Sequence, residues 1–279
     1  MTELAALFAR PGANDLDWED PHLPGRRIVL RSARPAHVSP QTPVLFVHHG
    51  VNRNGGDYRD YWLPLVDEAD LMVIAPEFPA ADFPGSAWYN FGNRSSESGA
   101  PNPRDSWTYN TDQRVFDALR AQGLTEHGRY GVWGHSAGGQ FVHRMLSLGL
   151  RAGVAAAVTA NAGTYAMPDP EVDFPYGLGG TGMDENGLAS LLSFRLTVMA
   201  GTADTDSGGE HFPREPEAMR QGTNRYERAH AYIATARRQA RRLGLHCAWT
   251  IVDVPGVAHD GELMSAAAAP ILSAALHAI

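Results

Sequence analysis

Residues Trp133–Gly139 read W-G-H-S-A-G-G, and they lie between a short apolar run at 129–133 and an amphipathic pattern that continues to Leu148. A serine at the tip of a tight strand-to-helix turn is forced into a strained backbone conformation that lifts its hydroxyl above the sheet. Gly134 and Gly138 let such a turn close, because a Cβ at either place would collide with the neighbouring chain. The helix that follows aims unpaired N–H groups and the positive end of its dipole at any oxyanion forming beside Ser136. This window therefore offers a nucleophile, Ser136, and one oxyanion donor, the N–H of Ala137.

The flanking sequence alternates strands with helices. Strand patterns fall at 26–33, 43–49, 71–75 (ended by Pro76), 129–133, 153–159, 195–200 and 246–254. The run at 43–49, P-V-L-F-V-H-H, is nearly continuously apolar, as expected of a strand buried on both faces. Helices are expected over 57–69, limited or kinked by Pro64, over 112–119 with Gly123 as C-cap, from Ala137 to Leu148, over 225–243, and in the Ala-rich C-terminal stretch around Pro270. This order predicts a mostly parallel, twisted sheet with right-handed crossovers and helices on both faces. Ligands of such sheets bind beyond the carboxyl ends of the strands.

The irregular segments 77–110 and 161–187 each follow a strand and are expected to cover that end. Aromatic residues in the first (Phe83, Trp88, Tyr89, Phe91, Trp107, Tyr109) argue against disorder. Together with Tyr165, Phe174 and Tyr176 they are candidates for pocket walls, though half or more should serve loop packing instead. No internal repeat or low-complexity linker divides the 279 residues, so one domain spanning 1–279 is expected.

A serine hydroxyl needs a base to take its proton, and the base needs an orienting acid. His259, in V-P-G-V-A-H-D-G after the last strand, is the candidate base. The acid should follow strand 195–200, where A-G-T-A-D-T-D offers Asp204, nearest the strand end, and Asp206, which would otherwise cap its own loop. The second oxyanion donor should come from V-H-H-G-V-N-R-N, where Gly50 lets the backbone turn inward; Val51 is the expected donor and Asn52 the fallback. Arg53 beside it would meet a substrate carboxylate or form a structural salt bridge.

Other chemistries find less support. His48 and His49 are adjacent on a strand and point to opposite faces, and no HExxH or cysteine pair accompanies them, so neither metal nor cofactor is expected. His135 is expected to pack beneath the elbow, and His143 and His230 sit in helical patterns. Net charge is −8, and the one arginine-rich stretch (Arg237, Arg238, Arg241, Arg242) reads as a solvated helix face, which argues against a nucleic-acid partner. The sole cysteine, Cys247, lies in an apolar run and reads as a buried, inert thiol. No run approaches the roughly 18 apolar residues of a membrane helix. The first residues, with acids and no basic residue before Arg10, make a poor signal peptide, so a cytoplasmic location is expected.

With strand-end H-H-G, elbow G-H-S-A-G, G-T-A-D and a terminal G-V-A-H-D, the chain resembles the α/β-hydrolase superfamily from about Arg26 onward. V-H-H-G-V-N-R-N, I-A-P-E-F-P and G-H-S-A-G-G-Q-F-V-H-R resemble a bacterial group of LpqC-like, or polyhydroxybutyrate-depolymerase-like, esterases. The resemblance implies Ser136, Asp204 and His259 as triad and a serine carboxylic-ester hydrolase acting on a small or oligomeric ester. Many secreted depolymerases carry signal peptides and disulfides; this chain shows neither pattern, which weighs against extracellular polymer degradation. Amide hydrolysis with the same triad is the alternative, and a non-catalytic binding protein on the same fold is a third reading. A mechanism that needs a neutral imidazole makes activity rise through about pH 6.5. Acyl-chain preference and oligomeric state are not legible in the residues.

Overall fold

Strand β3 (Val44–His48) is buried along its whole length, and its residues divide between two cores. Val44 and Phe46 face one side of the sheet, Leu45 and Val47 the other, as the two-residue period of a strand requires. The same alternation splits β4 (Met72–Glu77), with Met72 and Ile74 on one side and Val73 and Ala75 on the other. A computed structural model describes residues 3–279.

The sheet has eight strands in the order β1-β2-β4-β3-β5-β6-β7-β8. The remaining strands are β1 (Gly12–Glu19), β2 (Arg27–Arg34), β5 (Tyr130–His135), β6 (Val154–Ala160), β7 (Leu196–Gly201) and β8 (Thr250–Val254). β1 pairs antiparallel with β2 and β2 antiparallel with β4; every other pairing is parallel. The helices in chain order are α1 (Gly55–Asp60), α2 (Val66–Ala69), α3 (Gly85–Trp88), α4 (Thr111–Ala121), α5 (Ala137–Ser147), α6 (Glu185–Leu192), α7 (Pro216–Met219), α8 (Arg225–Arg242) and α9 (Gly261–Leu276). Val115 and Phe116 of α4, Phe141 of α5, Leu188 of α6 and Tyr232 of α8 share one core with Phe46 and Val132. Tyr58 of α1, Val66 of α2 and Met264, Ala268 and Leu272 of α9 share the other with Trp133. The fold is therefore the expected mostly parallel sheet with helices on both faces.

β1 was not expected: only Leu16 and Trp18, between Asp15, Asp17 and Glu19, mark its inner face, too short an alternation to stand out, and it is an edge strand held by its pairing with β2. Four local expectations need correction. The single helix over 57–69 is two short helices, because the chain turns at Trp62–Leu65 around Pro64, with the N–H groups of Leu65 and Val66 both donating to the Trp62 carbonyl. β4 does not stop before Pro76 but runs to Glu77: β3 pairs with it only as far as Ile74, so a residue without an N–H is tolerated beyond that point. The strand expected over 246–254 begins at Thr250, because Ala248 N–H and the Trp249 indole N–H donate to Leu192 and Leu191 carbonyls at the end of α6. Cys247, in that displaced stretch, is half-buried rather than buried.

The strand order has one consequence for function. β3, β5, β6, β7 and β8 are parallel neighbours, so the loops beginning at His49, Ser136, Asn161, Thr202 and Pro255 all leave the same edge of the sheet. Among the described residues no helix is long and apolar enough to cross a membrane.

Candidate active site

The turn between β5 and α5 is built from close backbone approaches. A Cβ on Gly134 would lie 2.2 Å from the Gly138 carbonyl oxygen, and one on Gly138 would lie 2.1 Å from that of His48. Both positions exclude any side chain. Ser136 sits at φ 59°, ψ −118°, a region an L-residue occupies only when its surroundings impose it. Here its N–H donates to the Ala160 carbonyl at 2.9 Å and its carbonyl accepts from Gln140 N–H at 3.0 Å.

Three side chains from three strand ends meet at this point. His259 Nε2 lies 2.9 Å from Ser136 Oγ, and His259 Nδ1 lies 2.7 Å from Asp204 Oδ2. A carboxylate oxygen only accepts, so Nδ1 carries the proton and Nε2 is free to accept from the serine hydroxyl. Asp204 is 1% exposed and His259 about a third exposed. Asp206 borders the cavity but does not reach His259: it is exposed and its Oδ1 accepts from Gly208 N–H at 2.7 Å, closing its own turn.

The loop after β3 presents Gly50, Val51 and Asn52 to the same cavity, about 570 Å³ in volume, which is also lined by Ser136, Asp204 and His259. The Gly50 carbonyl accepts from His49 Nδ1–H at 2.9 Å and from Arg53 N–H at 3.3 Å. In a trans peptide the carbonyl and the next N–H point in opposite directions, so tying back the Gly50 carbonyl turns Val51 N–H the other way. Among the described residues, neither Val51 N–H nor Ala137 N–H donates to a protein acceptor.

His49 explains how that peptide is held. Its Nε2 accepts from Phe78 N–H at 3.2 Å while Nδ1–H donates, which fixes one neutral tautomer. Burial pushes its pKa down to about 3, so the ring stays neutral. It stacks on Tyr89 at 4.4 Å, and the Tyr89 hydroxyl donates to the His49 carbonyl at 2.7 Å.

Among the described residues Arg53 meets no carboxylate, so the expected salt bridge is not formed; its guanidinium donates to the carbonyls of Phe78, Phe83 and Gly85, lies 4.4 Å over Tyr89, and does not line the cavity. His48 bonds Asp112 of α4 at 2.8 Å with both side chains fully buried. The two histidines do not face opposite sides as expected of neighbours on one strand: β3 ends at His48, and both rings join one aromatic layer, His48 stacked on Phe141 and His49 on Tyr89, each tied to a different partner. No group of His, Cys, Asp and Glu among the described residues is arranged to hold a metal.

The aromatic segment 83–109 does not wall this cavity. Phe78, Tyr89 and Tyr109 converge on Phe141 of α5 with ring centroids 5.8, 5.4 and 4.8 Å away, bracing the elbow helix from outside. Tyr165 is likewise buried, against Tyr232. The cavity lining comes instead from Tyr58 of α1, from Tyr61 at its C-terminal end, and from 203–211. These aromatics serve packing, their rings seated on the helices α5 and α8 and on one another.

Four further residues surround the triad without having been marked as candidates, two of them in contact with it. His135, expected to pack, does so directly beneath His259, ring centroids 4.6 Å apart, with Tyr58 Oη 2.8 Å from its Nδ1. Burial holds His135 well below the usual imidazole range. Asn161, at φ 46°, accepts from Gly201 N–H and donates to the Ala258 carbonyl, joining the ends of β6 and β7 to the His259 loop. Arg225, at the start of α8, lies beside Asp204. The only signal for Asn161 in the residues is its place directly after a strand; nothing in the neighbourhood of Tyr58 or Arg225 marks them.

Comparison with solved structures places this geometry. A structure of LpqC, poly(3-hydroxybutyrate) depolymerase from Bordetella parapertussis, superposes with a TM-score of 0.91 at 39% identity, covering 96% of this chain and 92% of that one. The chain belongs to the LpqC-like group of α/β-hydrolases. Poly(aspartic acid) hydrolase-1 from Sphingomonas sp. KT-1 matches as well, with a TM-score of 0.90 at 38% identity over 94% of this chain and 99% of that one. A ferulic acid esterase at 14% identity and TM-score 0.57, covering 97% of this chain and 99% of that one, shares the fold. No protein-family model and no curated protein sequence matches the chain. As a member of the LpqC-like group, the protein is a hydrolase.

Proposed function

We propose that this LpqC-like hydrolase is a serine carboxylic-ester hydrolase that works through a covalent acyl-enzyme. The observation that carries the reading is the continuous hydrogen-bond line Ser136 Oγ, His259 Nε2, His259 Nδ1, Asp204 Oδ2 opening on a cavity. Ser136 Oγ attacks the acyl carbon while His259 Nε2 takes its proton. The carbonyl oxygen becomes an oxyanion between the N–H groups of Val51 and Ala137. The C–O bond to the alcohol then breaks as Nε2–H protonates the departing oxygen. Water enters, gives its proton to Nε2 and attacks the acyl carbon. Collapse of the second tetrahedral species releases the carboxylic acid and returns the proton to Ser136. Asp204 keeps the imidazole in the productive tautomer and offsets its charge in both steps.

Among the described residues Val51, Ala203 and Ala258 are the only aliphatic side chains on the cavity wall; beside the triad and glycines the rest is polar or aromatic, including Asn52, Asn54, Tyr58, Tyr61, Glu210 and Arg225. Such a lining rewards a short or polar acyl group, since a long alkyl chain finds little apolar surface to bury against. Amide hydrolysis is the second reading, supported by the name of the poly(aspartic acid) hydrolase, whose polymer is a polyamide.

The test uses the purified protein with p-nitrophenyl acetate and p-nitrophenyl octanoate, matched anilides, and a fluorophosphonate probe. The expected outcome is stoichiometric labelling of Ser136, faster turnover of acetate than octanoate, faster ester than anilide cleavage, and loss of both labelling and turnover in Ser136→Ala. An Ser136→Ala protein that keeps its turnover removes the reading. Anilide cleavage that outpaces ester cleavage selects the second.

A further inference from the structure

Arg225 is a buried cation with almost no bonding of its own. Its side chain is 8% exposed, its Nε has no partner, and its one ion contact among the described residues is NH1 to Asp204 Oδ1 at 3.6 Å. Its guanidinium carbon lies 5.2 Å over the ring of Phe212. A guanidinium brought out of water without a full set of acceptors is costly, and the neighbouring arginine of the same helix shows the ordinary solution: Arg228 donates to the carbonyls of Gly222, Gly163 and Pro213. Arg225 instead spends its charge on the one oxygen of Asp204 that His259 does not use. The backbone reinforces the placement, since Tyr226 N–H donates to the Asp204 carbonyl at 3.3 Å.

Resting on the triad reading given above, we propose that Arg225 is a positioning residue for Asp204 and His259. It holds Oδ1 so that Oδ2 stays aimed at Nδ1, and its charge sets the pH at which the imidazole becomes available as a base. The sign follows from electrostatics. A cation beside Asp204 opposes protonation of His259; without it the carboxylate acts on the imidazole alone and favours the imidazolium. The other charged or titratable groups around the pair are His135 beneath His259, Asp206, Glu210 and His211 on the loop after β7, Asp260 beside His259, Tyr165 near Asp204, Tyr58 of α1 and Tyr61 just after it. None of these is a cation held against Asp204.

The experiment measures kcat and KM for p-nitrophenyl acetate from pH 5 to 9 in wild type, Arg225→Gln, Arg225→Lys and Ser136→Ala, with thermal midpoints to establish folding. Arg225→Gln is expected to move the acid limb of kcat/KM up by about one pH unit. It should therefore lose about tenfold more activity at pH 6 than at pH 8, with KM little changed. Arg225→Lys keeps the charge and should leave the limb within a few tenths of a unit while kcat falls a few-fold. An unmoved limb in Arg225→Gln, or a loss confined to KM, overturns the proposal. If Arg225→Gln does not fold, a Lys variant whose limb moves by a full unit overturns it, and one whose limb stays supports it. An active Ser136→Ala would instead remove the triad reading itself, so the two failures are distinct.

Discussion

Asp204 and Asp206 stand two residues apart in one loop and do opposite things. Asp204 is drawn under the sheet edge, its N–H donating to the Gly201 carbonyl and its carboxylate meeting His259; Asp206 faces solvent and closes a local turn on Gly208. The difference is one of burial and partner, not of residue type. Asp204→Asn should therefore lower kcat on the order of 10⁴-fold, because an amide cannot fix the Nδ1–H tautomer. Asp206→Asn should stay within a few-fold of wild type. Steady-state kinetics of both variants on one ester checks this, and an equal loss in the two would contradict it. Proximity to the strand end was legible in G-T-A-D. The arginine that completes Asp204 was not, since Arg225 is brought there only by the crossover from the loop into α8.

At the scale of elements, the loops over the site are secured by arginines, one half-buried and two fully buried, rather than by regular structure. Arg53 gathers three carbonyls of the 78–85 segment, Arg144 bonds Asn90, Gln140 and Thr164, and Arg228 bonds 163, 213 and 222. Burial lowers the Arg144 guanidinium to about 10, still charged at neutral pH. These long-range ties are why 77–110 could be read as ordered but not placed: aromatic content argues for packing, while its target, Phe141, is set by the sheet. β3 is tied in the same way through the buried His48–Asp112 bond to α4. Asp112→Ala strands His48 in the core and should destabilise the protein by about 3 kcal/mol. Urea denaturation followed by tryptophan fluorescence measures it, and a change below about 0.5 kcal/mol would show that the bond contributes nothing net.

For the molecule as a whole, three imidazoles are buried in the neutral form. Burial depresses the pKa of His49 to about 3 and those of His135 and His143 well below the ordinary value of 6.5. Unfolding exposes all three to solvent, where each binds a proton below about pH 6.5. Their contribution to stability is thus fully present above pH 6.5 and is lost as pH falls from there toward the depressed folded values. Each adds a slope approaching about 1.4 kcal/mol per pH unit on the acid side. Stability measured from pH 7.5 to 5 should fall with the uptake of up to three protons on unfolding, and a flat profile would contradict the buried neutral assignment. The chain order of serine, acid and histidine and the parallel sheet were readable because each leaves a short-range mark. The two-residue period gives the strands, and glycines give the elbow. β1 left little, because its inner face is only Leu16 and Trp18 set between Asp15, Asp17 and Glu19.

The backward-turned Gly50 peptide bears on timing. His49 and Arg53 hold it through its own carbonyl, and His49 is itself locked by Phe78 and Tyr89. On the proposed mechanism the direction of Val51 N–H is thus set by folding, once in the life of each molecule, and not anew in each turnover. The same arrangement makes the site brittle: heat or acid that loosens the 78–89 layer removes the restraint on Gly50 while Ser136, His259 and Asp204 are still in contact. Loss of activity should then run ahead of global unfolding.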